Sequence, residues 1–146
     1  MNSRDVERRL TTILSIDVVG YSRLMADDEA ETVKTLKAHK DLMGGLISQH
    51  AGRVVDAVGD DLLAEFPSVV DAVRCAVAIQ QAMVEREADV PEERRIQYRI
   101  GVNLGDIVEK DDGTIYGDGV NVAARLESLA EPGGITVSED AYRQVE

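Results

Sequence analysis

TTILSIDVV, residues 11–19, is nearly continuous in apolar and β-branched side chains, the composition of a strand buried on both faces. Its one charge, Asp17, stands near the strand's end, and Gly20, Tyr21 and Ser22 follow as a turn. A strand of this kind needs helices to cover it, and the sequence on its C-terminal side supplies them. Asp28 with Glu31 makes a capping-box pattern ahead of a long helix, with Val33, Leu36, Met43 and Ile47 along one stripe. Lys40 interrupts that stripe, Gly44 and Gly45 weaken it, and Gly52 is expected to end the helix in the left-handed position.

Residues 53–58 and 62–66 read as two short strands around the turn Gly59-Asp60-Asp61. After Pro67, Ser68 opens a helix whose apolar positions Val69, Ala72, Ala76, Ile79 and Met83 recur at alternating intervals of three and four. Pro91 breaks the pattern, and residues 95–108 alternate polar and apolar as one or two strands before the turn Asp111-Asp112-Gly113. Residues 117–130 predict a third helix on the spacing of Val120, Ala123, Ala124 and Leu126. Pro132, Gly133 and Gly134 end it, a short strand at residues 135–137 follows, and Ser138 caps a final helical turn. The order strand, helix, hairpin, helix, strands, helix, strand predicts an α+β domain. Its plan is ferredoxin-like (βαββαβ), with helices packed on a mixed, mostly antiparallel sheet.

The 146 residues, 44% hydrophobic and 30% charged, suit one globular domain that folds on its own core. Acids outnumber bases 28 to 16, and the resulting charge of −12 disfavours nucleic acid and anionic membrane surfaces as partners. The first ten residues carry charges without an apolar block, and no run is long and apolar enough to span a membrane. The one cysteine, Cys75, falls in an apolar helical run, which fits packed core and a reducing cytoplasm and excludes a zinc cluster. His39 and His50 have no matching ligands near them and read as surface residues.

Three sets of residues have chemistry to offer. Asp17 at a strand end and Asp60 in a tight turn converge if their strands are neighbours, which is the arrangement hard divalent cations want. The competing readings are a local cap for Asp17 and an ordinary turn residue for Asp60. Gly20, Tyr21 and Ser22 form a glycine-containing turn into a helix, whose backbone N–H groups suit phosphate oxygens. Asn121 and Arg125 lie one helical turn apart and share a face, either to reach a common anion or simply to meet solvent.

Taken together, Ser15-Ile16-Asp17-Val18-Val19-Gly20-Tyr21-Ser22, Val58-Gly59-Asp60-Asp61-Leu62-Leu63-Ala64-Glu65-Phe66 and Gly117-Asp118-Gly119-Val120-Asn121-Val122-Ala123-Ala124-Arg125 resemble the class III adenylyl and guanylyl cyclase catalytic domain. The resemblance runs over residues 11–146, with residues 1–10 as a lead-in. It implies a homodimer with active sites at the interface. Asp17 and Asp60, with the backbone of Val18, would hold two Mg²⁺ or Mn²⁺ ions. Backbone at Val19, Gly20, Tyr21 and Ser22 would cradle the phosphates. Asn121 would orient the ribose and Arg125 would stabilise the transition state, both from the opposite subunit. The implied reaction converts ATP to 3′,5′-cyclic AMP and pyrophosphate in cytoplasmic signalling.

Two departures bear on that expectation. Asp56 stands where family adenylyl cyclases carry a purine-reading lysine and guanylyl cyclases a glutamate, while Thr114 resembles the threonine-bearing bacterial branch. Family domains also continue for further strands beyond the position of Glu146, so the domain is expected to lack its last strands. GTP as substrate, or a weakly active dimerisation or nucleotide-sensing module, are the alternatives these departures raise. A palm-like nucleotidyl transferase would explain the Gly59-Asp60-Asp61 turn and leave Asn121 and Arg125 without a role.

Overall fold

The computed structural model describes residues 6–57 and 61–145. Its central strand, β1 (Val6–Val18), begins well before the apolar run, because Val6 to Leu10 pair antiparallel with Lys110 to Asp106 of β4 (Tyr98–Lys110). Ladder hydrogen bonds and ion pairs hold this charged arm where hydrophobicity does not. Arg9 pairs with Glu65 and Glu109, and Arg53 reaches Glu65 at 2.8 Å and Glu109 at 3.5 Å, so one cluster ties four strands together. Burial pushes the Glu65 carboxyl up, yet the guanidinium groups and Thr11 outweigh it and hold the group below its ordinary value.

Gly20, at φ 70°, turns the chain from β1 directly into α1 (Tyr21–Asp27). The stretch read as a turn is therefore a left-handed glycine followed by the first helical residues, Tyr21 and Ser22. Asp28 then caps α2 (Glu29–Gln49) by accepting from the Glu31 amide at 3.1 Å, as its sequence pattern predicts. The buried stripe of α2 is Thr32, Leu36, His39, Met43 and Ile47. Val33, expected inside, is 51% exposed, and His39, expected on the surface, is 1% exposed. Position decides this: residue 39 lies one turn from both Leu36 and Met43, so helical geometry carries it inward whatever its polarity. At the helix end Ala51, not Gly52, takes the left-handed conformation at φ 68°. Gly52 is required for space instead, since a Cβ there would lie 2.5 Å from the Phe66 ring.

Strands β2 (Arg53–Asp56) and β3 (Asp61–Phe66) form the expected hairpin, and the tip carrying Val58, Gly59 and Asp60 lies outside the described residues. Ser68 caps α3 (Val69–Arg86), which buries the predicted stripe together with Cys75. Residues 95–108 yield one strand, β4, preceded by a short 3-10 turn at Glu92–Arg94. Then come β5 (Ile115–Tyr116), α4 (Asp118–Leu129), β6 (Ile135–Val137) and α5 (Glu139–Tyr142), the last capped by Ser138. Sheet order is β2-β3-β1-β4-β5, antiparallel throughout, with β6 parallel to β4 at Ile100 to Val102. The βαββαβ plan holds for β1, α2, β2, β3, α3 and β4.

Alternation along β1 separates two cores. Leu14, Ile16 and Val18 face α2 and α3 in the larger one, while Ile13 faces Ile107, Ile115 and Ala123 beneath α4. In the larger core, His39 Nδ1 lies 2.9 Å from the Tyr98 hydroxyl. Burial lowers the His39 pKa below 6.5, with the Glu87 carboxylate opposing that shift and Arg86 reinforcing it. The folded chain thus resists a proton that the unfolded chain accepts, so His39 costs nothing above the ordinary value and stability falls as pH drops below it. Denaturant midpoints are expected to fall between about pH 7 and about pH 5, and to fall less in His39→Gln.

Candidate active site

The last turn of β1 gathers charged groups on the sheet face that lies under α4. Asp17 is the cross-strand neighbour of Asp61 on β3 and of Arg99 on β4. Directly opposed residues of an antiparallel sheet share a face, so one guanidinium and two carboxylates meet there. Asp17 is half-buried with its Oδ1 enclosed, and Arg99 carries a buried Nε that has no hydrogen-bond partner. A buried donor left without a partner in a polar site is what an anionic ligand satisfies. Sequence reading missed Arg99. Its signal was present in the alternation of Gln97, Arg99, Gly101 and Asn103, which places Arg99 on the polar face of its strand.

Beside Asp17 the chain enters α1. The Val19 amide donates to the Gln97 carbonyl at 2.9 Å, Gly20 turns the backbone, and no side chain caps the first turn of the helix. The N–H groups of that turn therefore point out of the end of a helix that begins four residues after Asp17. Asp60 lies outside the described residues, but the residue after it, Asp61, is the strand partner of Asp17. Among the described residues no three acids, histidines or cysteines gather around one point. The donors that the described residues offer a cation here are carboxylate oxygens, those of Asp17 and of its strand partner Asp61. Such a donor set fits Mg²⁺ or Mn²⁺ and not the softer metals.

On the same sheet face α4 lies at backbone contact with β4. A Cβ on Gly101 would stand 2.4 Å from the Ala123 carbonyl, and one on Gly119 2.5 Å from the Asp106 carbonyl. The helix buries Gly119, Ala123 and Glu127 against the sheet, which turns Asn121 and Arg125 outward to solvent. The structure thus brings Asp17, Arg99 and the start of α1 together, and it leaves Asn121 and Arg125 on the far side of the helix above them. Asp56 ends β2 and is exposed. Thr114, in the turn between β4 and β5, donates through its amide and hydroxyl to Asp112 at 3.0 and 2.7 Å. Arg53 of β2 donates to the Gly113 carbonyl at 3.4 Å, which draws the strand of Asp56 to the turn of Thr114. Cys75 is inert core: burial pushes its thiol up to about 12. Among the described residues no helix is long and apolar enough to cross a membrane.

The sequence pattern of the adenylate and guanylate cyclase catalytic domain matches residues 6–146. A putative adenylate cyclase of Rhizobium meliloti (strain 1021) is 49% identical over 99% of this chain, which spans 25% of that protein's length. Among solved structures, an adenylate/guanylate cyclase/hydrolase from Silicibacter pomeroyi superposes with a TM-score of 0.87 at 50% identity. The match covers 94% of this chain and 80% of the other. The adenylyl cyclase CyaB from P. aeruginosa superposes at 0.83 and 25% identity, covering 96% and 82%.

Proposed function

The chain belongs to the adenylate and guanylate cyclase catalytic domain family, and from that premise we propose that it converts ATP to 3′,5′-cyclic AMP and pyrophosphate at a site shared by two copies of the chain. The observation that carries this reading is the placement of Asp17 at the end of β1, opposite Asp61 and Arg99 and beside the uncapped start of α1. A carboxylate for a cation and donors for a triphosphate adjoin there.

In this reading Asp17 and Asp60, with the Val18 backbone, hold two Mg²⁺ or Mn²⁺ ions. Bound there, the ions lower the pKa of the ribose 3′-hydroxyl and offset triphosphate charge. Backbone N–H groups at Gly20, Tyr21 and Ser22 hold the terminal phosphates, the Val19 amide being given to the Gln97 carbonyl, and Arg99 faces the same anion. The 3′-oxygen attacks the α-phosphorus, the bond to the bridging oxygen breaks, and pyrophosphate leaves with the electron pair. Arg125 stabilises the charge that builds on the α-phosphoryl oxygens, and Asn121 orients the ribose. Because both side chains face away from the sheet that bears Asp17, they serve the site of a second copy. Leu129, 77% exposed at the end of α4, and the exposed Tyr116 offer that copy apolar contact.

Asp56 and Thr114 face the purine. A carboxylate accepts from the adenine amino group, and the threonine hydroxyl, its proton given to Asp112, has acceptor capacity left. The same acceptor suits the N–H groups of guanine, so a guanylate cyclase is the second reading, and the adenylate cyclase relative at 49% identity favours the first. The lone, buried Cys75 supports a reducing, cytoplasmic setting. Chromatography of products from the full-length chain with Mn²⁺ and either ATP or GTP tests the proposal. Cyclic AMP formed faster than cyclic GMP is expected. The reverse order establishes the second reading, and no cyclic product from either overturns both.

A further inference from the structure

We infer that Asn103 is a positioning residue of this site, acting through α4 and without contact to the substrate; the inference rests on the cyclase reading above. Asn103 sits in the middle of β4 and is 5% exposed. Its Nδ2 donates to the Gly119 carbonyl in the first turn of α4 at 3.0 Å. Gly101, Gly105 and Gly119 bring the helix and the sheet into backbone contact, and a Cβ on Gly105 would meet Asn103 Nδ2 at 2.8 Å. Contact between glycine surfaces sets how close the helix lies and leaves its slide and roll weakly determined, since dispersion has no direction. A hydrogen bond has direction.

The first turn of α4 has no side-chain cap to fix it otherwise, with Gly117 at φ 117° preceding it. At the far end Glu127 meets the Ser15 hydroxyl at 3.4 Å, a longer contact. Asn103 therefore anchors the end of α4 nearest Asn121. The helix is a rigid rod, so slippage at Gly119 passes undiminished to Asn121, two residues on, and to Arg125 one turn beyond. Displacements of about 1 Å in catalytic groups lower rates by about a hundredfold.

Asn103→Leu keeps the volume and removes the donor. In the full-length chain it is expected to lower kcat by about tenfold to a hundredfold, with the KM for ATP changed by less than about twofold. Mixing separates positioning from general damage. A dimer of one Asn103→Leu chain and one Asp17→Ala chain unites the intact Asp17 of the first with the intact α4 of the second. Random pairing in equal amounts makes about half the dimers mixed, each with one good site of two, so about a quarter of wild-type activity is expected. Asp17→Ala mixed with Asn121→Ala is the control, and its failure to recover activity overturns the shared-site reading itself. Recovery in the control without recovery for Asn103→Leu, or full activity of Asn103→Leu alone, overturns the role of Asn103. If Asn103→Leu shows no cooperative melt, Asn103→Ser, which keeps a donor with less reach, is mixed in its place and judged by the same two outcomes.

Discussion

Asp17→Ala is expected to lower cyclic nucleotide formation by about a thousandfold or more while leaving the thermal transition within a few degrees of wild type. The large kinetic effect follows from position. Asp17 is the one charge in the apolar run of β1, it is half-buried at the strand's end, and its neighbours across the sheet are Asp61 and Arg99. On the proposed reading, losing it removes the carboxylate that would hold a divalent cation beside the backbone of Gly20 to Ser22 and leaves Arg99 to face the triphosphate alone. The small structural effect follows because the core of β1 is Leu14, Ile16 and Val18 on one face and Ile13 on the other, none of which the substitution touches. Product chromatography and a melt on the same sample check both halves. Asp17→Asn, equal in shape, is expected to be as inactive.

Arg125→Ala is expected to reduce kcat by about a hundredfold to a thousandfold with little change in KM. Arg125 is exposed on α4, so stability should move by no more than about 0.5 kcal/mol. A group that stabilises charge developing at the α-phosphorus acts in the transition state and hardly in the ground state, which is why the loss falls on kcat. Arg125→Lys is expected to recover only part of the rate, because an ammonium cannot offer the guanidinium's paired donors to two phosphoryl oxygens. Initial rates over a range of ATP concentrations check both variants.

Periodicity explains why much of this fold was readable from the sequence. The stripe of α3, the β6 strand and the caps at Asp28, Ser68 and Ser138 stand where their patterns put them. What escaped was decided by contacts distant in sequence. The arm of β1 before Leu10 is a strand because β4 pairs with it and because Glu65 and Glu109 hold Arg9, none of which local hydrophobicity records. His39 looked like a surface residue by type, and the geometry of α2 carries it to Tyr98. Gly52 looked like a helix terminator, and its constraint comes from a phenylalanine on another strand.

The candidate site divides the same way. Asp17, Gly20, Asn121 and Arg125 were legible as types in a spaced pattern. Arg99 was not, since its importance depends on strand register, which brings residue 99 opposite residue 17. Asn103 depends further on the packing of α4 over that strand. The outward aspect of Asn121 and Arg125 is likewise a product of packing: three glycines pull the opposite side of α4 onto the sheet.

That outward aspect puts each proposed site between two copies of the chain, and one mixture of variants decides whether it lies there. Full-length Asp17→Ala and Arg125→Ala, each assayed alone with ATP and Mn²⁺, are expected to form almost no cyclic AMP. Combined in equal amounts and allowed to exchange subunits, they are expected to recover about a quarter of the wild-type rate, through mixed dimers that each carry one complete site. A mixture no more active than its separate components, at concentrations where wild type is dimeric and active, would rule out a site shared between two copies.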